Sequence, residues 1–186
     1  MRILGVDPGV ARIGVAVVEG EPGRLRLLHA GCIETAAGRP EEQRLSELFD
    51  ALTALITAEQ PEAAAVEQLF FASNRRSAMR VAQARGVALC ALARSGLPVA
   101  EYTPMQVKQA VAGWGAAGKS QVARMSFRLL GLDSVPGPDD VSDACAVAIC
   151  HHHRARLVVA TGRRAAAGAM SPGLAEAVAR ARPVSP

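Results

Sequence analysis

The chain has 186 residues, 50% hydrophobic and 20% charged, which is enough apolar material for one core and too little charge for a disordered chain. No apolar run reaches the roughly 18–20 residues that a membrane span needs. The first residues enter fold-like sequence at once, so neither a membrane protein nor a secretory leader is expected. Aromatic residues are only 3% of the chain, so Ala, Val, Leu and Ile must build the core. Four cysteines without a CxxC pair point to a reduced, cytoplasmic setting, with Cys32 and Cys90 buried as small hydrophobes. The net charge is +4, unevenly spread: residues 68–132 hold nine basic residues against one acid, Glu101, and the last 36 residues hold six Arg and one Glu. That clustering predicts a basic face for a polyanionic partner.

In chain order, residues 3–7 form a short apolar run closed by the turn signal Asp7-Pro8-Gly9. Residues 13–18 and 25–35 read as two further strands, separated by a turn at 19–23, so the chain opens on an antiparallel meander. Residues 40–58 repeat Leu45, Leu48, Phe49, Leu52, Leu55 and Ile56 at helical spacing. A buried strand is expected at 63–67, a helix at 74–95 and a strand at 99–102. Helices at 106–112 and 120–130 flank a glycine-rich loop holding Trp114, which either touches a ligand or anchors the loop locally. A last core helix covers 140–153, and its three terminal histidines suit the helix dipole better than a metal site. The expected architecture is an α/β domain over 1–157, with a mixed five-stranded sheet flanked by helices, followed by a basic, disordered tail at 158–186.

Four acids stand where chemistry could use them. Asp7 and Glu67 close two strands, and functional groups gather at strand carboxyl ends in open α/β sheets. Asp140 and Asp143 are three apart at the start of the last helix and share a face, although spacing alone would also pair Asp139 with Asp143. Clustered carboxylates repel, and the cost falls if cations occupy the centre. All-oxygen donors select Mg²⁺, with Mn²⁺ as substitute, over Zn²⁺. Two such ions about 3.5–4 Å apart suit phosphodiester hydrolysis.

Six elements in order carry a resemblance: Gly5-Val6-Asp7-Pro8-Gly9, Ala65-Val66-Glu67-Gln68-Leu69-Phe70, Gln83-Ala84-Arg85-Gly86, Gln106-Val107-Lys108-Gln109, Lys119-Ser120-Gln121-Val122 and Asp140-Val141-Ser142-Asp143-Ala144. Together they resemble RuvC, the family of bacterial Holliday-junction resolvases. The resemblance implies a ribonuclease H-like fold and a homodimer that makes Mg²⁺-dependent paired nicks at a four-way junction, in recombination and repair. It also implies partnership with the RuvA–RuvB branch-migration complex. Asp7, Glu67, Asp140 and Asp143 match the family's catalytic metal-binding acids, Phe70 an aromatic that stacks on bases near the crossover, and Lys108 and Lys119 lysines that contact the backbone. Arg75 and Arg76 are further candidates for DNA contact. The start of the chain also resembles YqgF-type nucleases, which do not account for Phe70, Lys108 and Lys119. A non-catalytic junction-binding module would not need the four acids.

Overall fold

The computed structural model describes residues 1–9, 12–68, 75–135 and 137–160, without the side chains of 75–77 and 156–160. β1 (Arg2–Pro8) pairs antiparallel with β2 (Arg12–Glu21), and β2 with β3 (Arg24–Glu34). The β2–β3 turn is Pro22-Gly23, where Gly23 takes the positive φ of +90° that a tight hairpin requires. α1 (Glu41–Glu59) returns the chain as β4 (Ala63–Glu67), parallel to β1, and α2 (Arg75–Arg94) leads to β5 (Val99–Tyr102), parallel to β4. The sheet order is β3-β2-β1-β4-β5, with β1 at the centre. Three helices follow: α3 (Pro104–Ala112), α4 (Lys119–Leu129) and α5 (Asp139–Ala160).

Strand alternation assigns each residue to one of two cores. Leu4, Val6, Val15, Val17, Ala64 and Val66 pack against Leu48, Leu52 and Ile56 of α1 and Leu92 of α2. Ile3, Ala16, Val18, Ala63 and Ala65 face the other way, onto α5, whose residues from Ala144 to Cys150 are all buried. Asp7 and Glu67 continue this second set at intervals of two. Alternation therefore turns both carboxylates towards α5.

Among the described residues, five strands, five helices and their order agree with the sequence expectations, and the differences are local. α3 begins at Pro104, not 106, because Thr103 caps it: its hydroxyl accepts from the Gln106 N–H while the Gln106 side chain accepts from the Thr103 N–H. Proline in the first turn loses no helical hydrogen bond. β2 runs on to Glu21, because β3 pairs with it as far as Arg24. The backbone of α5 continues to Ala160, past the expected boundary at 157, and residues 161–186 lie outside the described residues. The cysteine expectation fails: Cys90 is exposed and Cys32 half-buried, whereas Cys145 and Cys150 are buried. On α2, burial of Ala88, Ala91 and Leu92 turns position 90 outward. Cys32 lies on the edge strand β3, which the helices cover only partly.

The three histidines bind different partners. His151 Nδ1 shares a hydrogen bond with the Tyr102 hydroxyl at 2.9 Å. His152 Nε2 donates to the Val18 carbonyl at 3.0 Å, and His153 Nδ1 to the Ala110 carbonyl at 2.9 Å. They tie α5 to β5, β2 and α3, and share no common point for a metal. Burial, aided by the neighbouring His152, pushes His151 from 6.5 down to about 4. The unfolded chain therefore takes up this proton first, and stability is fully present above about 6.5 and lost as the pH falls towards about 4. Asp7 and the other raised acids shift stability the opposite way over this range, so the test is the difference between wild type and His151→Gln: in urea unfolding it should move against wild type between pH 7.5 and pH 5, and a difference independent of pH would contradict the assignment.

Candidate active site

Asp7 and Glu67 stand at the ends of adjacent parallel strands, where Val6 is in register with Val66. Asp140 and Asp143 lie in the first turns of α5. The helix can reach the strands because of glycine. Gly14, the β2 partner of Asp7, has no side chain, and a Cβ there would collide with the Asp140 main chain. Gly5 does the same under Ala144 and Ala148, where an added Cβ would come within 2.9 Å of the Ala148 Cβ. A hairpin with glycine at these two positions thus lowers the acidic end of α5 onto the end of β1.

The electrostatics follow from this convergence. Burial, then the charges of Glu67, Asp143 and Asp140, push Asp7 up from 3.8 to about 8. The crowding favours the protonated form of the Asp7 carboxyl, which hydrogen-bonds the Glu67 side chain. Burial and Asp143 also raise Glu67, against the opposing pull of Asp7, Lys119 and Lys108. Burial raises Asp143, opposed by the Lys119 ammonium 2.9 Å away. Arg12 Nε donates to Asp140 Oδ2 at 2.5 Å, and the same guanidinium lies 3.6 Å from Glu34. Of the two aspartates that spacing left open, Asp139 has an 80% exposed side chain and pairs with Lys119 at 3.4 Å. Asp140 is 22% exposed, and its charge reaches Asp7.

Glu67, Asp143, Lys108 and Lys119 line one solvent-open cleft of about 520 Å³, walled by Pro104, Val107, Val122 and Ala146. A second cavity, lined by Gly9, Arg12, Arg44 and Arg80 among others, contains none of the four acids. Among the described residues, no three His, Cys, Asp or Glu side chains are already gathered tightly enough to hold an ion. Two of the acids are instead engaged by Arg12 and Lys119, and the other two by each other. The donor set is nonetheless all carboxylate oxygen, and its unfavourable charge is what a hard divalent cation relieves.

Phe70 lies outside the described residues, as do the side chains of Arg75 and Arg76. Not every cation of the basic segment joins a face: Arg85 pairs with Glu101 at 2.6 Å. Arg12 did not emerge from the sequence. A cation five residues after an acid reads as ordinary turn chemistry, and its partner Asp140 is 128 positions away.

Residues 3–151 match the family model described as crossover junction endodeoxyribonuclease RuvC. A protein of that description from Chloroflexus aggregans is 54% identical over 155 residues, covering 83% of this chain and 94% of the relative. One from Pelotomaculum thermopropionicum is 54% identical, covering 82% and 93%. The Thermus thermophilus RuvC structure in complex with Holliday junction substrate superposes with a TM-score of 0.80 at 38% identity, covering 84% of this chain and 96% of that one. A second T. thermophilus RuvC structure gives a TM-score of 0.77 at 39% identity, with the same coverage. The mixed sheet with its flanking helices is the ribonuclease H-like fold these structures share. Matched along nearly its whole described length, with the acids at the strand ends and on the last helix, the chain belongs to the RuvC family of crossover junction endodeoxyribonucleases.

Proposed function

We propose that the chain is a metal-dependent endonuclease that resolves four-way DNA junctions by paired, symmetric nicks, in homologous recombination and repair. The observation that carries this reading is the convergence of Asp7, Glu67, Asp140 and Asp143 from three elements, beside two lysines in one cleft. Those four carboxylates would hold Mg²⁺, with Mn²⁺ as substitute, as two ions per site. When bound, the ions supply the positive charge that favours ionisation of water and stabilises the oxygens of the reacting phosphate. Lys108 and Lys119 place the scissile phosphate at the cleft by charge, and Arg12 fixes the orientation of Asp140. Loading the site requires Asp7 to give up its proton. Phe70, three residues beyond Glu67, is assigned to stack on a base at the crossover, worth about 1–3 kcal/mol, and Arg75 and Arg76 to phosphate contact. A junction-binding module that did not cut would gain nothing from gathering four carboxylates that repel one another.

Incubation of a synthetic four-way junction and a linear duplex with Mg²⁺, followed by product mapping, tests the reading. Symmetric nicks in two strands of like polarity are expected on the junction alone, and none in EDTA. Equal cutting of the duplex would contradict it.

Two symmetric cuts require two sites, hence a dimer. α2 offers a surface: Met79, Gln83, Gly86 and Cys90 are all exposed at helical spacing, and a side chain at Gly86 would meet only open space. Small residues on such a stripe let two helices approach closely. Gly86→Arg should convert a dimer to a monomer in sedimentation; a dimer that survives would place the interface elsewhere. The junction would be delivered by the RuvA–RuvB complex that the family resemblance implies. A cytoplasmic setting fits the free cysteines, and no helix among the described residues is long and apolar enough to cross a membrane.

A further inference from the structure

The lysines of the cleft sit on α3 and α4, and the loop joining those helices carries the sole tryptophan of the chain. Trp114 is 64% exposed and Met105, in the first turn of α3, is 62% exposed. The two belong to one patch, because the Met105 side chain lies against the residue after the tryptophan: a Cβ on Gly115 would come within 2.8 Å of Met105 Cγ. The loop itself is well held. Gly113 ends α3 at φ +78° with its N–H bonded to the Gln109 carbonyl, and the Ala117 N–H donates to the Trp114 carbonyl at 3.1 Å. Ala117, not Trp114, is the loop's buried anchor, at 1% exposure. Of the two roles the sequence left open for Trp114, local anchoring is therefore taken by its neighbour.

The surroundings identify the partner chemistry. Residues 104–130 include Lys108, Lys119, Arg124 and Arg128 and no Asp or Glu. Arg124 and Arg128 line a shallow groove along α4 with Gln121 and Met125. An exposed indole and thioether on a helix–loop–helix segment whose own charges are all positive, with Lys119 paired to Asp139 and Asp143 of α5 at its edge, suit a partner with anionic edges and flat apolar faces, which describes nucleic acid. We propose that Trp114, backed by Met105, packs on an exposed base or sugar of the DNA arm next to the phosphate that Lys108 and Lys119 hold. This rests on the junction-resolving reading above and adds a DNA contact on the α3–α4 loop, separate from Phe70.

The sole tryptophan is its own probe. An unlabelled four-way junction is titrated into the full chain carrying Asp7→Asn, with Mg²⁺ present, while tryptophan emission is followed. Anisotropy of a dye-labelled junction reports binding independently. The expected result is a saturable change in Trp114 emission that tracks the anisotropy curve. In the same background Trp114→Ala weakens binding about 5- to 100-fold, with its melting temperature unchanged, whereas Trp114→Phe stays within about threefold. Binding by anisotropy with unaltered emission, or undiminished affinity in Trp114→Ala, overturns the proposal and leaves the patch to a protein partner. No binding by either probe overturns the junction reading, and this proposal with it.

Discussion

Replacing Asp7 with Asn is expected to abolish cleavage and, at the same time, to stabilise the metal-free protein. The first effect follows from losing a carboxylate at the centre of the acidic cluster. A cation site is worth several kcal/mol to phosphodiester hydrolysis, so the rate should fall at least about 10³-fold, equivalent to about 4 kcal/mol. Junction binding should be nearly unchanged, since the proposed phosphate contacts fall to Lys108 and Lys119. The second effect follows from the raised Asp7 carboxyl, at about 8 in the fold against 3.8 for an ordinary aspartate. An acid whose pKa is raised on folding contributes stability that is full below about 3.8 and is lost as the pH climbs through about 8. At neutral pH the acid is therefore a cost in the absence of a cation, and the neutral amide removes it. A gain of about 0.5–2 kcal/mol is expected, read as a higher melting temperature in EDTA, with the difference from wild type growing between pH 6 and pH 9. Retained cleavage, or a variant less stable in EDTA across that range, would remove Asp7 from the centre of the site.

The second large effect is expected from a residue with no side chain. Gly14→Ala puts a methyl group against the Asp140 main chain, and because the obstacle is backbone, α5 must lift. Overpacking of this kind costs about 3 kcal/mol at the upper end, or roughly 6–12 °C in melting temperature for a domain of this size. The helix carries Asp140 and Asp143 with it, and a displacement of about 1 Å at a reacting centre costs about 10²-fold in rate. Gly38→Ala, where nothing lies within 4 Å, is the control and should change neither property. A Gly14→Ala protein with full activity would mean that the close approach of α5 is not what positions the acids.

The contrast between Gly14 and Asp7 shows what can be read along a chain. Strand ends, the helical spacing of Leu48, Leu52 and Ile56, and the spacing of Asp140 and Asp143 are local, so periodicity exposes them. The face that Asp7 and Glu67 share is also implicit in the alternation of Ile3, Gly5 and Asp7 and of Ala63, Ala65 and Glu67. The height of α5 above the sheet is not local. It depends on Gly5 and Gly14 meeting a helix far along the chain, and nothing in either glycine announces that contact. Arg12 escapes notice for the same reason, because its role exists only once Asp140 folds onto it. Cys90 departs from expectation because composition favours burying a small apolar residue, whereas helical phase puts position 90 opposite the buried Ala88, Ala91 and Leu92. Trp114 was ambiguous until the burial of Ala117 showed which residue anchors the loop.

In the proposed mechanism, acids from β1, β4 and α5 close around divalent cations. Anomalous diffraction from crystals soaked in Mn²⁺ tests it most directly. The expected result is density with oxygen ligands at about 2.0–2.2 Å, among them Asp7, Glu67 and a carboxylate of α5, with Lys119 drawn off Asp143. Manganese that binds only elsewhere on the surface, with the Lys119–Asp143 and Asp7–Glu67 contacts intact, would contradict it.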